Sequence, residues 1–72
     1  MKLNYFPETD SLYIDLIDRA SVESREVSAG VVLDYDAEGR IVGIDIDHAS
    51  QTVDLLRLEL QAPHMAVERT VA

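Results

Sequence analysis

Apolar and polar residues alternate along the first part of the chain, a pattern typical of half-buried β-strands. In residues 2–6, Leu3 and Tyr5 alternate with polar neighbours, and residues 12–17 have the same period of two. The residues between these segments, 7–11, include proline, aspartate and serine, which favour a turn. The pattern therefore predicts a first β-hairpin.

A second hairpin is predicted further along the chain. Residues 18–26 are mostly polar and are expected to form a loop. Residues 27–35 have strand character, interrupted by a bulge or bend at residues 29–30. Residues 36–39 read Asp-Ala-Glu-Gly, a strong turn signal, and in residues 41–47 isoleucine and valine alternate with glycine and aspartate. We expect these two strands to pair.

The period becomes ambiguous after residue 47. Val53, Leu56 and Leu60 have helical spacing behind a capping residue at 47 or 50, whereas the leucines at 56, 58 and 60 alternate as in a strand. We expect a helix over residues 50–57, packed through Val53 and Leu56, and an extended segment to residue 62. Helix and strand both remain open for residues 55–62. Pro63 ends the element, because proline cannot continue either pattern.

These elements predict an α+β fold in one domain, residues 1–72. The sheet is a small antiparallel β-meander of about four strands in two hairpins, followed by one short C-terminal helix, with residues 55–62 as the candidate for a fifth strand. Residues 63–72 have too little periodicity to be assigned and are expected to form a loose tail.

Composition excludes several classes of function. Six Lys and Arg stand against fourteen Asp and Glu, so the net charge is 6 − 14 = −8. This charge repels phosphates and argues against binding to nucleic acid or to an anionic membrane. The chain has no cysteine, which excludes disulfides, thiolate zinc sites and a thiol nucleophile. Because it has neither a leader-like start nor a long apolar run, a cytoplasmic location is expected by default.

The short length makes self-association an expected property. A chain of this size buries only about 60% of the surface that its unfolded form exposes, so hydrophobic burial barely offsets the entropy lost on folding. Small domains commonly overcome this deficit with disulfides, bound metals or oligomerisation. In a chain without cysteine, we expect a homo-oligomer, a dimer or higher.

Two stretches of the chain carry a family resemblance. Residues 5–16 read YFPETDSLYIDL, and residues 30–50 read GVVLDYDAEGRIVGIDIDHAS. Together they resemble the domain of unknown function 2283 family of small bacterial and archaeal proteins. The matching positions are Tyr5, Pro7, Asp10, Leu12, Tyr13, Ile14, Gly30, Val31, Asp34, Tyr35, Asp36, Gly39, Val42, Gly43, Ile44, Ile46, Ala49 and Ser50. Asp45 stands where the family pattern usually has Glu. The resemblance implies a small sheet with a helix and no known activity.

The acidic hairpin of residues 34–45 is a candidate cation site. Counting from Asp34, acids lie at relative positions 1, 3, 5 and 12 and a glycine at position 6, which is the spacing of an EF-hand calcium loop. Asp34, Asp36, Glu38 and Asp45 are therefore candidate ligands for Ca²⁺ or Mg²⁺. Two features argue against this site, since Asp45 is short for bidentate ligation and strands rather than helices flank the loop. We favour the alternative, in which these acids are turn and surface residues.

The other polar clusters predict little chemistry. Asp45, Asp47 and His48 could bind a metal or exchange protons, but a row of acids at period two is more typical of the solvated face of a sheet. The tyrosines, at positions 5, 13 and 35, are expected to pack across strands. No nucleophile with a positioned base accompanies these groups, so we predict no catalytic residues and no organic cofactor.

These observations favour a small acidic interaction module without enzymatic activity, which self-associates or caps a basic protein partner. In one version it is an antitoxin-like member of a two-gene system that masks a basic RNA-cleaving protein by charge complementarity. The alternative is a protein that binds calcium or magnesium through the acidic hairpin. A third hypothesis is a structural protein that acts only within a larger complex.

Overall fold

The computed structural model describes residues 1–63, which form five β-strands and one short helix. The elements are β1 (Lys2–Phe6), β2 (Ser11–Asp15), β3 (Glu23–Ser28), β4 (Val31–Tyr35), β5 (Ile41–Ile46) and α1 (Ala49–Thr52). The strands form one antiparallel sheet in the order β1-β2-β5-β4-β3. The α+β class with a fifth strand is confirmed, but the candidate for that strand, residues 55–62, is wrong, because the additional strand is β3.

The sheet joins two units that are each contiguous in sequence. β1 and β2 form the expected first hairpin, and β3, β4 and β5 form a three-stranded meander. The central pair is β2 with β5, with Leu12 opposite Ile46 and Ile14 opposite Ile44. Isoleucine and leucine meet on the same side of this pair, so burial of apolar side chains favours this register.

The fifth strand lies where the sequence predicts a loop. The predicted loop holds for residues 18–22 but is wrong for 23–26, which belong to β3. Residues 27–28 and 31–35 are strand as predicted, but they belong to two strands, β3 and β4, and not to one bent strand. The chain reverses at residues 29–30, where Gly30 has a φ of 75°. β3 is an edge strand with every residue exposed, and an edge strand that buries neither face shows no hydrophobic alternation.

The helix is shorter than its spacing predicts. α1 spans Ala49–Thr52 and ends at Val53, whose φ of −129° is extended. Val53 packs against the core as expected, but Leu56 is fully exposed, so its predicted packing role is wrong. Residues 54–62 form neither helix nor strand. Of the predicted tail, residues 64–72 lie outside the described residues.

One side of the sheet is apolar. Paired residues of antiparallel strands point to the same side, so the register defines an apolar face formed by Leu3, Tyr5, Leu12, Ile14, Val31, Leu33, Ile44 and Ile46. The opposite, polar face carries Lys2, Asn4, Phe6, Tyr13, Asp15, Ser24, Glu26, Val32, Asp34 and Asp45.

The helix covers one part of the apolar face. Ala49 is fully buried against Leu12 and Ile46, and Ile14, Ile44 and Val53 pack around this cluster. Val42 is also buried, beside the irregular register between β4 and β5. No large side chain is fully buried among residues 1–63. The structure is therefore a sheet with a small core at one end rather than a filled two-layer sandwich.

In the part of the chain that the structure describes, no helix has the length and apolar character needed to cross a membrane.

Candidate functional site

Asp36 organises the turn between β4 and β5. Its Oδ1 accepts hydrogen bonds from the backbone N–H groups of Glu38 (3.0 Å) and Arg40 (2.9 Å), and its Oδ2 pairs with Arg40 Nε (3.1 Å). These bonds, above all the one from the Arg40 backbone, lower the pKa of Asp36. Gly39, with a φ of 79°, closes the turn. The Asp36 carboxylate thus bonds the loop itself.

Glu38 is on the outer side of the same turn. It pairs with Arg40 and lies 3.9 Å from Arg19 of the β2–β3 loop. Both arginines are largely solvent-exposed, so these ion pairs are screened and add little to stability. The positive charges of the two arginines nevertheless offset part of the negative charge of the turn.

Asp34 accepts two hydrogen bonds on the polar face. The Tyr13 hydroxyl donates to its Oδ2 (2.8 Å), and the Ser24 hydroxyl donates to its Oδ1 (2.6 Å). Tyr13 belongs to β2, Asp34 to β4 and Ser24 to β3. Because β5 lies between β2 and β4, the network links strands that are not neighbours. The Asp34 bond, followed by burial and nearby carboxylates, raises the pKa of Tyr13 to about 12.

Gly43 makes this network possible. Tyr13 crosses β5 to reach Asp34, and a Cβ built on Gly43 would lie 2.0 Å from the tyrosine hydroxyl and 2.6 Å from Cζ. Only a residue without a side chain leaves room for the ring above this strand. Gly43 therefore allows the Tyr13 ring to pack closely against β5, and it does not form a turn.

Asp45 lies on the same face with a raised pKa. Its partial burial contributes most, followed by the negative charges of Asp47 and Asp34. Across the sheet it is opposite Tyr13 and Val32. Asp45 is therefore a half-buried carboxylate in a negative environment.

The four candidate ligands thus have different surroundings. Asp36 bonds its own turn, Asp34 bonds Tyr13 and Ser24, Glu38 pairs with arginines, and Asp45 stands on the polar face. Within residues 1–63, no group of three or more Asp, Glu or His side chains is arranged to hold a metal ion. The cation site at these residues stays a prediction.

A second network fastens the helix to the first hairpin. Asp10, with a φ of 52°, accepts hydrogen bonds from the Tyr5 hydroxyl (2.8 Å), the Ser50 backbone N–H (3.0 Å) and the Ser50 hydroxyl (2.7 Å). Its carbonyl oxygen accepts from the Ala49 N–H (2.9 Å). The Ser50 and Tyr5 hydroxyls lower the pKa of Asp10. Sequence reasoning missed this contact, because its partners are 40 residues apart.

The apolar face is incompletely covered. On β1, Leu3 and Tyr5 are 40% and 42% exposed, and Ile14, Leu33 and Ile44 are only half-buried. Such exposed apolar surface is characteristic of interaction sites on small soluble proteins. In the part of the chain that is described, this face is therefore a candidate interaction site.

The rim of the apolar face is polar on the β3 side. Glu23 and Arg25 form an ion pair of 3.0 Å, and the Arg25 guanidinium lies 5.4 Å from the centre of the Tyr35 ring. The register places Arg25 opposite Leu33 and Glu23 opposite Tyr35. An apolar patch with a charged rim has the general anatomy of a protein interface.

The leucines of residues 54–62 keep much of their surface in solvent. Leu56 is 100% exposed, Leu58 76%, Leu60 55% and Leu55 36%. Their alternation indicates an extended segment, but in the structure it pairs with none of the five strands. We call residues 54–62 the leucine segment.

A family model described as a protein of unknown function (DUF2283) matches residues 2–50, which is 49 of the 72 residues. The chain belongs to the DUF2283 family. The matched range contains all five strands of this DUF2283 chain and the start of α1, and it ends before the leucine segment. No curated protein and no solved structure matches the chain.

The residues that carry the DUF2283 resemblance include many that hold this fold together. Tyr5, Asp10 and Ser50 fasten the helix, and Tyr13 packs over Gly43 to reach its carboxylate partner. These contacts account for polar residues of the motif without requiring catalysis. The sequence does contain a signal for the packing of Tyr13 over Gly43, since a glycine within a strand often marks the close approach of another group.

Proposed function

We propose that this DUF2283 chain is a homo-oligomerising interaction module without enzymatic activity, and that its interface is the apolar face of the sheet. The observation that carries the proposal is the exposure of this face beyond the small helix α1. Its exposed Leu3 and half-buried Ile14 and Leu33 would be removed from water by a second copy.

The distribution of charge supports a second copy of the same acidic chain. Within the five strands, the charged residues on the apolar face are Glu23 and Arg25, which cancel. The polar face carries Lys2 against Asp15, Glu26, Asp34 and Asp45, a net charge of 1 − 4 = −3. Two copies can therefore meet through their apolar faces while the acidic faces stay apart, which limits the repulsion expected between chains of net charge −8.

The test is the mass in solution, measured by sedimentation velocity over a range of concentrations. We expect a species of at least twice the 8.0 kDa of one chain. Leu3→Asp should raise the dissociation constant by about tenfold or more, because it places a charge in the apolar interface. A protein that stays monomeric at all concentrations would contradict the proposal.

β1 offers a matched control. Phe6 is 47% exposed, close to the 40% of Leu3, but it lies on the polar face. Phe6→Asp adds the same charge to the same edge strand, and we expect it to leave the dissociation constant within about twofold of wild type. Equal weakening by both variants would mean that the apolar face is not the interface.

The acidic polar face supports a second candidate function, binding of a basic protein, with the antitoxin-like role as its specific version. Co-expression with the protein of the adjacent reading frame tests it. We expect a stoichiometric complex that dissociates at high salt and is weakened by Glu26→Gln, since that change removes charge from the edge of the polar face. Recovery of only the self-associated chain at low salt would refute it.

A further inference from the structure

We infer that the leucine segment of each copy lies across the apolar face of the other copy, so that two copies exchange these segments. The inference rests on the proposed function and specifies the partner surface. It follows from the side-chain pattern of the segment, its point of departure and its reach.

The leucine segment has one apolar and one polar side. Arg57 Nη2 and Gln61 Nε2 both donate to Glu59 Oε2, at 3.2 Å and 3.3 Å. Side chains two residues apart lie on the same side of an extended chain, so residues 57, 59 and 61 share one side. Leu58 and Leu60 then point to the other side. This segment presents a row of leucines with a polar back.

The segment leaves the core at the apolar face. Val53 packs beside the cluster of Leu12 and Ile46, and the chain then turns at Asp54. Asp54 Oδ1 accepts from the Leu56 N–H (3.1 Å), and the Asp54 carbonyl oxygen accepts from the Arg57 N–H (3.3 Å). Leu56 within this turn is fully exposed, and beyond it Leu58 and Leu60 are 76% and 55% exposed, so most of the leucine surface is not buried by its own chain.

The dimensions of the segment fit the face. Beyond the turn, the six extended residues 57–62 span about 20 Å at roughly 3.3 Å per residue. Five strands spaced about 4.8 Å apart make a sheet about 19 Å wide between the outer strands. The segment is therefore long enough to cross all five strands of a partner.

A reciprocal arrangement satisfies both surfaces at once. Around a twofold axis, one segment covers the partner's face while the partner's segment covers the first face, so neither apolar surface remains in water. The polar side with Arg57 and Glu59 then faces solvent. The occupant is thus a second copy of this chain, which supplies the apolar segment and needs the same surface covered.

Paired double variants of the full chain test the role of the leucines. Leu58→Ser with Leu60→Ser should raise the dissociation constant of the dimer about tenfold or more, because apolar side chains in the interface are replaced by polar ones. The control, Arg57→Ser with Glu59→Ser, changes the opposite side of the same segment and is expected to have an effect of less than about twofold. Equal effects of the two variants would overturn the inference.

A spin label locates the segment. Since the chain has no cysteine, Glu59→Cys gives a single labelling site on the polar side of the segment. Spin-labelled protein is mixed with isotope-labelled protein that carries no spin label. Broadening of the NMR signals is then measured at the backbone amides of the apolar face. Broadening at Leu3, Ile14 and Leu33 of the isotope-labelled copy, which carries no spin label, is the expected result.

The outcomes separate the inference from the proposed function. A dimer without intermolecular broadening at the apolar face overturns the exchange and leaves the self-associating module intact. In a second sample the spin-labelled protein is itself isotope-labelled and is diluted with protein that carries neither label. Broadening of the apolar face in this second sample alone means that the segment folds back on its own sheet, which also overturns the exchange. A monomer at every concentration overturns both.

Discussion

Gly43→Ala should destabilise the protein through Tyr13 and not through the backbone. The new Cβ would lie 2.0 Å from the Tyr13 hydroxyl, whereas ordinary contact begins near 3.4 Å, so the hydroxyl must move by about 3.4 − 2.0 = 1.4 Å. The tyrosine cannot move this far and keep its 2.8 Å hydrogen bond to Asp34. The substitution therefore forces the ring off β5 and breaks the network of the polar face.

The magnitude follows from two opposing effects. Losing a hydrogen bond to a charged partner costs about 1.5–3 kcal/mol, and this pair is half-buried, which favours the lower end. Replacing glycine by alanine at a compatible backbone position contributes about 0.4–1 kcal/mol of stability through the unfolded state. We expect a net loss of about 1–2 kcal/mol, or a fall in Tm of about 5–15 °C for a domain of this size.

A double-mutant cycle isolates the cause. Urea unfolding is measured for wild type, Gly43→Ala, Tyr13→Ala and the double variant at one protein concentration, since any self-association makes stability concentration-dependent. In the Tyr13→Ala background the alanine at position 43 meets no ring, so Gly43→Ala should become neutral or stabilise by about 0.5 kcal/mol. The expected coupling between the two positions is about 2 kcal/mol.

The control is Tyr13→Phe, which removes the hydroxyl and keeps most of the ring. It should lose the bond to Asp34 in wild type, while Gly43→Ala should still be destabilising in its background because Cζ would remain 2.6 Å from the new Cβ. If Gly43→Ala costs the same in the Tyr13→Ala background as in wild type, the steric reasoning is refuted.

Four further measurements test the site. In a spectrophotometric titration, Tyr13 should ionise with a pKa of about 12. The stability that Tyr13 contributes is therefore present below its ordinary pKa of 10.0 and is lost as the pH rises from 10 to 12. Tyr13→Phe should lack both this ionisation and the accompanying loss of stability. Because the pKa of Asp45 is raised, its charged form opposes folding at neutral pH, and Asp45→Asn should raise Tm at pH 7 but not at pH 3. The pKa of Asp10 is lowered, so its contribution is present above 3.8 and is lost as the pH falls through the folded-state value; Asp10→Ala should show a shallower fall of Tm in acid. Calorimetric titration with calcium, magnesium and manganese tests the cation site, and a site at the acidic hairpin requires heat that Asp34→Ala and Asp36→Ala both reduce.

Several elements could be predicted because their signals are local. The alternation of Leu12, Ile14 and Ile44, Ile46 reflects half-buried strands, and the turn at residues 36–39 follows from the bonding habits of aspartate and glycine. The position of the helix could be predicted, but its length could not. The leucines that follow α1 have helical spacing, yet periodicity does not show whether the chain provides a surface for Leu56 to pack against.

The edge strand shows why the rest could not be predicted. β3 buries none of its residues, so it has no hydrophobic period, and its position depends on hydrogen bonding to β4. For the acidic residues, the spacing along the chain could be seen in the sequence, but the orientation of each side chain could not. Asp34 turns to the polar face and Asp36 into its own turn, because the strand and the turn orient them differently.

By itself the sequence determined an acidic, cysteine-free chain, the α+β class, the first hairpin and the turn that joins β4 to β5. These are consequences of composition and of contacts between residues near each other in the chain. Only the tertiary structure decided that β2 pairs with β5, that Asp10 bonds Ser50, that Tyr13 lies over Gly43, and that the acids of the strands gather opposite an apolar face. The physical reason is that distant segments pair according to which surfaces they bury together, and no local pattern records the partner.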